Sequence, residues 1–158
     1  MQGAREEVGP DDLLSRHLFD PPMFPGGTLV AKFFFEFPQN QGESVVWQRK
    51  LQDAIDGVHR LGCEHQARAR QKQAAEGKAP DKTYVGARTT RCEEIRAYRN
   101  PQGHGIKVVH EPSEGVHHVE LYYDSVAGAP AMTRSDKNEI KLKLVKIFSD
   151  LSQHNCPE

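Results

Sequence analysis

Histidines cluster around one turn of the sequence, within residues 107–123, KVVHEPSEGVHHVELYY. The imidazoles of His110, His117 and His118 are groups that bind metals or move protons near neutral pH. Successive side chains of a β-strand point to opposite faces, so the adjacent His117 and His118 are not expected to ligate one metal. A zinc site needs three or four protein ligands, and no cysteine lies nearby in the sequence. The sequence therefore predicts neither a metal site nor a bound cofactor.

A polar sheet face is predicted beside these histidines. The segments 92–99, 105–111 and 115–124 have the lengths and residue types of short strands, and loops containing Pro and Gly join them. Alternation along these strands places seven side chains on one face, namely Glu94, Arg96, Tyr98, Lys107, His118, Glu120 and Tyr122. Apolar side chains occupy the other face, where helices would cover them.

The polar face suits phosphodiester cleavage without a metal. In that chemistry a Glu or His removes the 2′-OH proton, a His protonates the leaving oxygen, and an Arg or Lys holds the phosphate. The catalytic candidates are His118, Glu120, Glu94 and Arg96. The same pattern is also typical of a solvated antiparallel face, because opposite charges and aromatic rings pair well across strands.

Nucleic-acid binding without catalysis is a further interpretation. Residues 63–110 carry 10 basic and 5 acidic side chains, whereas the net charge of the whole chain is −1. Tyrosines would stack on bases, and basic residues would hold phosphates. The candidate residues for binding a nucleic acid or a protein partner are Tyr98, Lys107, Tyr122, Arg68, Arg70 and Lys72, with Arg96 as another phosphate contact.

The remaining segments supply the elements that would position these residues. Residues 11–19 are typical of a short helix with acidic residues in its first turn, and residues 28–37 have the composition of a strand. From Ser44 the apolar residues, beginning with Trp47 and Leu51, follow helical spacing, and residues 63–79 extend this helix with polar residues all round. Thr133 and Asp136 resemble a capping box that opens a last helix.

These elements predict an α+β fold. The expected architecture is a two-layer sandwich with a mostly antiparallel sheet, built from one N-terminal strand and a three-stranded meander, with two long helices packed on one face. Residues 1–27 would form an N-terminal arm with the short helix, and residues 28–158 a single α+β domain. A chain of 158 residues is the right size for one domain.

Several classes of protein are excluded by what the sequence lacks. It contains no G-x-x-x-x-G-K-[ST], G-x-G-x-x-G, G-x-S-x-G or H-E-x-x-H motif. It has no run of 18 apolar residues and an acidic start without a signal-peptide core, so no membrane association is expected. Cys63, Cys92 and Cys156 are an odd number without a C-x-x-C pair, which argues against disulfides and favours a cytoplasmic location.

The first functional hypothesis is a small soluble, non-catalytic binding or assembly module that acts through a protein partner, in an oligomeric state that the sequence leaves open. It rests on the missing enzyme motifs, on the polar segment 63–79 and on the Pro- and Phe-rich stretch 19–25. The alternatives are a metal-independent, ribonuclease-like enzyme that uses the polar sheet face, and a non-catalytic protein that binds RNA or DNA.

Overall fold

A computed structural model describes residues 4–21, 23, 29, 34–38 and 41–157. Its strands are β1 (Leu13–Asp20), β2 (Glu43–Trp47), β3 (Thr83–Arg91), β4 (His104–His110), β5 (His118–Ser125) and β6 (Asp150–Gln153). Its α-helices are α1 (Ala54–Ala75), α2 (Cys92–Ala97) and α3 (Arg134–Ile147). Short 3-10 turns cover Gln48–Lys50 and Pro112–Glu114.

The described strands form one six-stranded sheet in the order β4-β5-β2-β1-β3-β6, and every neighbouring pair is antiparallel. The predicted α+β class with an antiparallel sheet is therefore confirmed. The strands β4 and β5 lie within or close to two of the three predicted meander segments, and they pair from His104–Ser125 to His110–Val119.

Apolar side chains cover both faces of the sheet, and each face carries a helix. Val45 of β2 packs in a cluster with Ile140 and Leu144 of α3, whereas its neighbour Val46 packs with Val58 of α1. Adjacent residues of a strand point to opposite faces, so α1 and α3 lie on opposite sides of the sheet. The prediction that two long helices share one face is wrong, because it was made without β1 and β3, which extend the second apolar face.

The segment 11–19, predicted as a short helix, is the strand β1 in the interior of the sheet. Leu14 and Leu18 are spaced as on a helical face, but β1 pairs with both β2 and β3 and buries residues on both of its faces. Leu14 and Leu18 point to the α3 side, while His17 contacts α1 on the other side. A central strand that is covered on both faces loses the alternation that marks a strand in sequence.

The segment 92–99, predicted as a strand, contains the helix α2. Its buried residues Cys92 and Ile95 are three positions apart, which is a helical spacing. The N–H of Cys92 donates to the Asp12 carbonyl oxygen at 2.9 Å, so the residue just before β1 holds the start of α2. The strand that precedes α2 is β3, which was not predicted.

Two further boundaries differ from expectation. Trp47, expected at the start of a helical face, is fully buried but ends the strand β2, and α1 begins only at Ala54. Of the predicted strand 28–37, residues 34–37 are not a strand, and most of the rest lies outside the described residues. The polar extension of α1 is helical to Ala75, and Gly77 follows it with a φ of 75°.

The predicted capping box of the last helix is confirmed. The Asp136 N–H donates to Thr133 Oγ1 at 3.1 Å, and the Thr133 N–H donates back to Asp136 Oδ2 at 2.8 Å. These hydrogen bonds satisfy backbone groups that a helix start otherwise leaves open, so the helix begins at a defined residue.

Cys63 of α1 and Cys156 form a disulfide, so the expectation of unpaired thiols is wrong for this pair. Their separation of 93 residues carried no pairing signal in the sequence. Cys92 is free and buried, and burial raises the pKa of its thiol to about 11. No helix among the described residues is long and apolar enough to cross a membrane.

Candidate functional site

A cavity of about 460 Å³ lies between α1 and the sheet. It is lined by residues of β1, β2, α1 and the turn before β5, and by Lys82 just before β3. We name it the histidine cavity after its polar lining residues His17, His65, His117, His118, Arg68 and Lys82. Four histidines and two exposed or half-buried cations from separate segments thus converge on one space.

His17 reaches the histidine cavity from the face of β1 that contacts α1. Its Nε2–H donates to the Val58 carbonyl oxygen of α1 at 2.8 Å, so Nδ1 carries the lone pair. Nδ1 has no hydrogen bond to any residue that the structure describes. Burial disfavours the imidazolium and lowers the pKa of His17 to about 4. His17 is therefore a neutral hydrogen-bond acceptor at pH 7.

Phe19 forms an aromatic wall of the histidine cavity. The centroid of its ring lies 4.7 Å from that of His65, and Lys82 Nζ lies 4.8 Å from it. Burial lowers the pKa of Lys82, and the nearby Arg16 guanidinium lowers it further. Burial and the charges of Lys82 and Arg68 likewise lower the pKa of His65. The wall thus combines an apolar surface with a lysine and a histidine that are incompletely hydrated.

Arg16 also lines the histidine cavity, but its own donors are already used. Its Nε donates to the Phe34 carbonyl oxygen at 3.1 Å and its Nη1 to the Ser44 carbonyl oxygen at 2.7 Å. Its Nη2 donates to Glu43, whose other carboxylate oxygen accepts the N–H groups of residues 36 and 37. The Arg16–Glu43 pair therefore holds the chain in place, and its charges largely compensate each other.

His118 is the first residue of β5, and a carboxylate orients it. Its Nε2 lies 3.1 Å from Glu120 Oε1 and 3.5 Å from Ser44 Oγ. His117 precedes β5 and lines the same cavity, so strand alternation does not apply between the two histidines. The expectation that His117 and His118 point to opposite faces is wrong for this reason. Burial lowers the pKa of His117, and the neighbouring His118 contributes.

Four of the predicted polar-face residues do come together, on β4 and β5. Glu120 and His118 touch, and Lys107 pairs in register with Tyr122, with its Nζ 5.7 Å from the Tyr122 ring. Burial, and then the adjacent Glu120, raises the pKa of Tyr122 to about 12. An added Cβ at Gly42 would lie 2.3 Å from Glu120 Oε2, so the absence of a side chain there leaves room for this carboxylate.

The other three predicted residues lie on or next to α2, away from His118. Glu94 pairs with Arg91 at 3.1 Å, and the Tyr98 hydroxyl donates to Glu139 Oε1 at 3.2 Å. Arg96 Nη1 donates to the Val8 carbonyl oxygen at 2.6 Å. The predicted catalytic set is thus divided into His118 with Glu120 and, separately, Glu94 with Arg96.

The basic residues predicted on α1 have different surroundings. Arg68 is exposed and lines the histidine cavity. Arg70 donates to the Lys82 carbonyl oxygen and to Thr83 Oγ1, each at 2.9 Å, and so ties α1 to the start of β3. Lys72 is exposed and is not among the lining residues.

Sequence reasoning missed His17, His65 and Lys82 as site residues. His17 lies in the segment 11–19, which was predicted to be a helix, and His65 lies in the polar extension 63–79 of the next predicted helix. No local pattern marks these residues, because only the tertiary packing of α1 on β1 brings them to one cavity. His110, by contrast, is structural: Glu6 N–H donates to its Nδ1 at 3.0 Å, and its Nε2–H donates to the Val116 carbonyl oxygen at 2.8 Å.

Neither a protein-family model, nor a curated protein, nor a solved structure matches this chain.

Proposed function

We propose that this protein is a binding module for a phosphate-bearing ligand of nucleotide size, held in the histidine cavity. The observation that carries the proposal is the convergence of Arg68, Lys82 and four histidines on one space. Among the described residues that line it, Glu114 is the only acidic one. An excess of N–H donors and cations around a concave site is the arrangement that recognises a phosphate.

The electrostatics of the cavity favour an anion. Burial lowers the pKa of Lys82, His65 and His117, and nearby positive charges lower each of them further. An anion within hydrogen-bond distance would supply the missing counter-charge and raise these pKa values again. The histidines of the cavity would therefore take up protons from solvent when the ligand binds.

The dimensions of the cavity and its aromatic wall support a ligand larger than phosphate alone. Ligand cavities typically measure about 300–1,000 Å³, and this one falls within that range. The Phe19 ring supplies an apolar surface, and His17 Nδ1 supplies a neutral acceptor for an N–H or O–H group. A free nucleotide and one nucleotide of an RNA chain share this chemistry.

This proposal gives a ligand class to the expected binding module. A protein partner and a cytoplasmic location stay predictions beside it. The basic α1 residue Arg68 keeps the role that the sequence suggested for it. Arg70 is committed to the contact with β3, and Lys72 would act only at longer range.

Binding measured by calorimetry would test the proposal with three probes: inorganic phosphate, adenosine monophosphate and a single-stranded RNA of about six nucleotides. Lys82→Gln and Arg68→Gln should each weaken nucleotide binding roughly tenfold or more, since a hydrogen bond to a charged group contributes about 1.5–3 kcal/mol. Lys143→Gln, an exposed change on α3, is the matched control and should have no effect. Binding of the nucleotide without the RNA would identify a free nucleotide as the ligand.

The proposal would be contradicted by two results. One is the absence of binding by all three probes at low salt. The other is a loss of affinity in Lys143→Gln that equals the loss in Lys82→Gln and Arg68→Gln, because it would indicate non-specific attraction to the surface. If only the RNA binds, its affinity should fall as the salt concentration rises. Each substitution that removes a phosphate contact should reduce the slope of log K against log salt concentration by about one.

A second candidate function is metal-independent cleavage of a phosphodiester, and the 3.1 Å contact between His118 and Glu120 favours it. Glu120 would orient the imidazole and stabilise its protonated form, and His118 would accept the 2′-OH proton. His117 would protonate the leaving oxygen while Lys82 holds the phosphate.

Cleavage of an RNA pool in the presence of EDTA would test this second function. His118→Ala and Glu120→Gln should lower the rate, and a general base contributes about 10²–10⁴-fold. Glu94→Gln is the control, because Glu94 pairs with Arg91 at another surface. Cleavage that EDTA abolishes, or that all three variants affect alike, would exclude this use of the site.

A further inference from the structure

A second group of chemistry-bearing side chains lies on a different face of α1. It consists of Cys63 in the helix and His154 and Cys156 in the segment after β6. One nitrogen or sulfur atom from each residue lies within 4.8 Å of the other two, and all three residues are half-buried. The two cysteines are joined by the disulfide. Helical spacing separates Cys63 from the cavity-lining residues His65 and Arg68.

The imidazole of His154 is held in place and is free to act as a ligand. Its ring stacks on that of His59, with centroids 4.5 Å apart and planes inclined by 8°. The ring nitrogens of His59 are hydrogen-bonded to the Tyr84 hydroxyl at 2.7 Å and to Ser152 Oγ at 2.9 Å. His59 is therefore a support, while the ring nitrogens of His154 have no hydrogen bond to any described residue. The main-chain N–H of His154 donates to the Val85 carbonyl oxygen at 3.0 Å.

We propose that Cys63, Cys156 and His154 form a site for a thiophilic divalent cation such as Zn²⁺, which opens when the disulfide is reduced. Two thiolates and an imidazole are ligands that Zn²⁺ prefers. Three protein ligands leave a fourth position for water in a tetrahedral site. The disulfide and the metal site exclude each other, because both use the same sulfur atoms.

The chemistry balances with a dithiol as the reductant. The dithiol delivers two electrons to the S–S bond, which breaks; the dithiol itself becomes a cyclic disulfide, and its two protons pass to the cysteine sulfurs. Zn²⁺ then displaces the two thiol protons into solvent and forms two Zn–S bonds and one Zn–N bond. Re-closing the disulfide needs a two-electron oxidant such as a second disulfide, which takes up the electrons and two protons from solvent and becomes two thiols while the metal is released.

The surrounding geometry and charge are compatible with a metal. Bonds of about 2.3 Å to sulfur and 2.0–2.1 Å to nitrogen place tetrahedral ligand atoms about 3.5–3.8 Å apart. The three ligand atoms already lie within 4.8 Å of one another, and a metal requires the two sulfurs, which the disulfide now joins, to move apart. Two of the ligands belong to the segment after β6, so small rotations there can separate the sulfurs. Asp56 and Glu64 line the adjoining cavity with one guanidinium, that of Arg60, and this local charge favours a cation.

Titration of the reduced full-length chain with Co²⁺ under anaerobic conditions would test the proposal, with absorption spectra as the readout. Reduced protein should bind one equivalent of Co²⁺ with a thiolate-to-cobalt charge-transfer band, and Zn²⁺ should displace it. The oxidised protein should show no such band. Cys156→Ser and His154→Ala should each weaken binding at least tenfold, while Cys92→Ser should leave it unchanged.

Circular dichroism of each sample shows whether the protein is folded, and this distinguishes the absence of a metal site from loss of the structure. A folded, reduced protein without the band would overturn the proposal, and so would an undiminished band in His154→Ala. A reduced chain that loses its structure and does not regain it with one equivalent of Zn²⁺ would also contradict it. If Cys92→Ser does not fold, alkylation protection of Cys63 and Cys156 by Zn²⁺ in the reduced wild-type chain replaces that control, and unprotected thiols would refute the site.

Discussion

The buried histidine of β1 should make the protein sensitive to mild acid. His17 has a pKa of about 4 in the folded chain, compared with 6.5 for a free histidine. The unfolded chain therefore binds a proton between these pH values that the folded chain does not bind. The free energy of unfolding rises with pH wherever the unfolded state binds more protons. The contribution of His17 is fully present above pH 6.5 and is lost as the pH falls towards 4.

The size of the effect follows from the two pKa values. Each unit of difference corresponds to 1.36 kcal/mol, so the complete loss is about 3.4 kcal/mol below pH 4. Relative to pH 7, the loss is about 1.2 kcal/mol at pH 5.5 and about 2.4 kcal/mol at pH 4.5. These losses are a substantial fraction of a typical free energy of unfolding, which is about 5–15 kcal/mol.

Substitution of His17 by Gln isolates this contribution. The Gln amide has an N–H to donate to the Val58 carbonyl oxygen and does not titrate. Urea unfolding of both proteins at pH 7.5, 6.5, 5.5 and 4.5 gives their stability difference at each pH, in which the effects of all other groups largely cancel. Between pH 7.5 and 4.5 the free energy of unfolding of the wild type should fall by about 2.5 kcal/mol more than that of the variant. A difference that stays constant over this range would refute the neutral, buried state of His17.

Three further predictions concern packing and the disulfide. Gly62→Ala should destabilise the protein by about 1–3 kcal/mol, because a Cβ there would lie 2.5 Å from the buried Tyr84 ring. Thermal melts measure this effect. Gly57→Ala in the same helix is the control and should be near neutral, because its Cβ would meet only flexible side-chain ends. Reduction of the disulfide in EDTA should lower the free energy of unfolding by up to about 4–5 kcal/mol, because it releases a long loop, and equal urea midpoints with and without reductant would contradict this. Thr133→Ala should cost about 1 kcal/mol through the lost cap, whereas Ser135→Ala on the exposed first turn should cost almost nothing.

The sequence predicted the elements whose side chains follow one clear period. The strand β5 alternates between apolar and polar residues, and this alternation predicted His118, Glu120 and Tyr122 on one face. In the structure His118 contacts Glu120, and Lys107 pairs with Tyr122. The last helix was predicted because its cap and its buried face are both local features. These elements need only neighbouring residues to define them.

The remaining elements depend on contacts between distant segments. The strand β1 buries both faces and so lacks a clear alternation, and the acidic residues 11 and 12 were interpreted as the first turn of a helix. The short helix α2 has too few residues to show a period, and its first N–H groups are held by residues 10 and 12 of the chain before β1. Neither placement can be deduced without knowing which strands are neighbours in the sheet.

The histidine cavity results from the same long-range packing. Gly62 allows α1 to approach Tyr84 of β3 closely, and this approach brings Val58 within hydrogen-bond distance of His17. The burial that follows keeps His17 neutral, and it removes water from Lys82 and His65 beside Phe19. An anion that enters the cavity therefore meets hydrogen-bond donors that have already lost part of their hydration, and each hydrogen bond to them is stronger than at an open surface. The position of α1 on the sheet thus determines both the stability of the protein in acid and the affinity proposed for a phosphate.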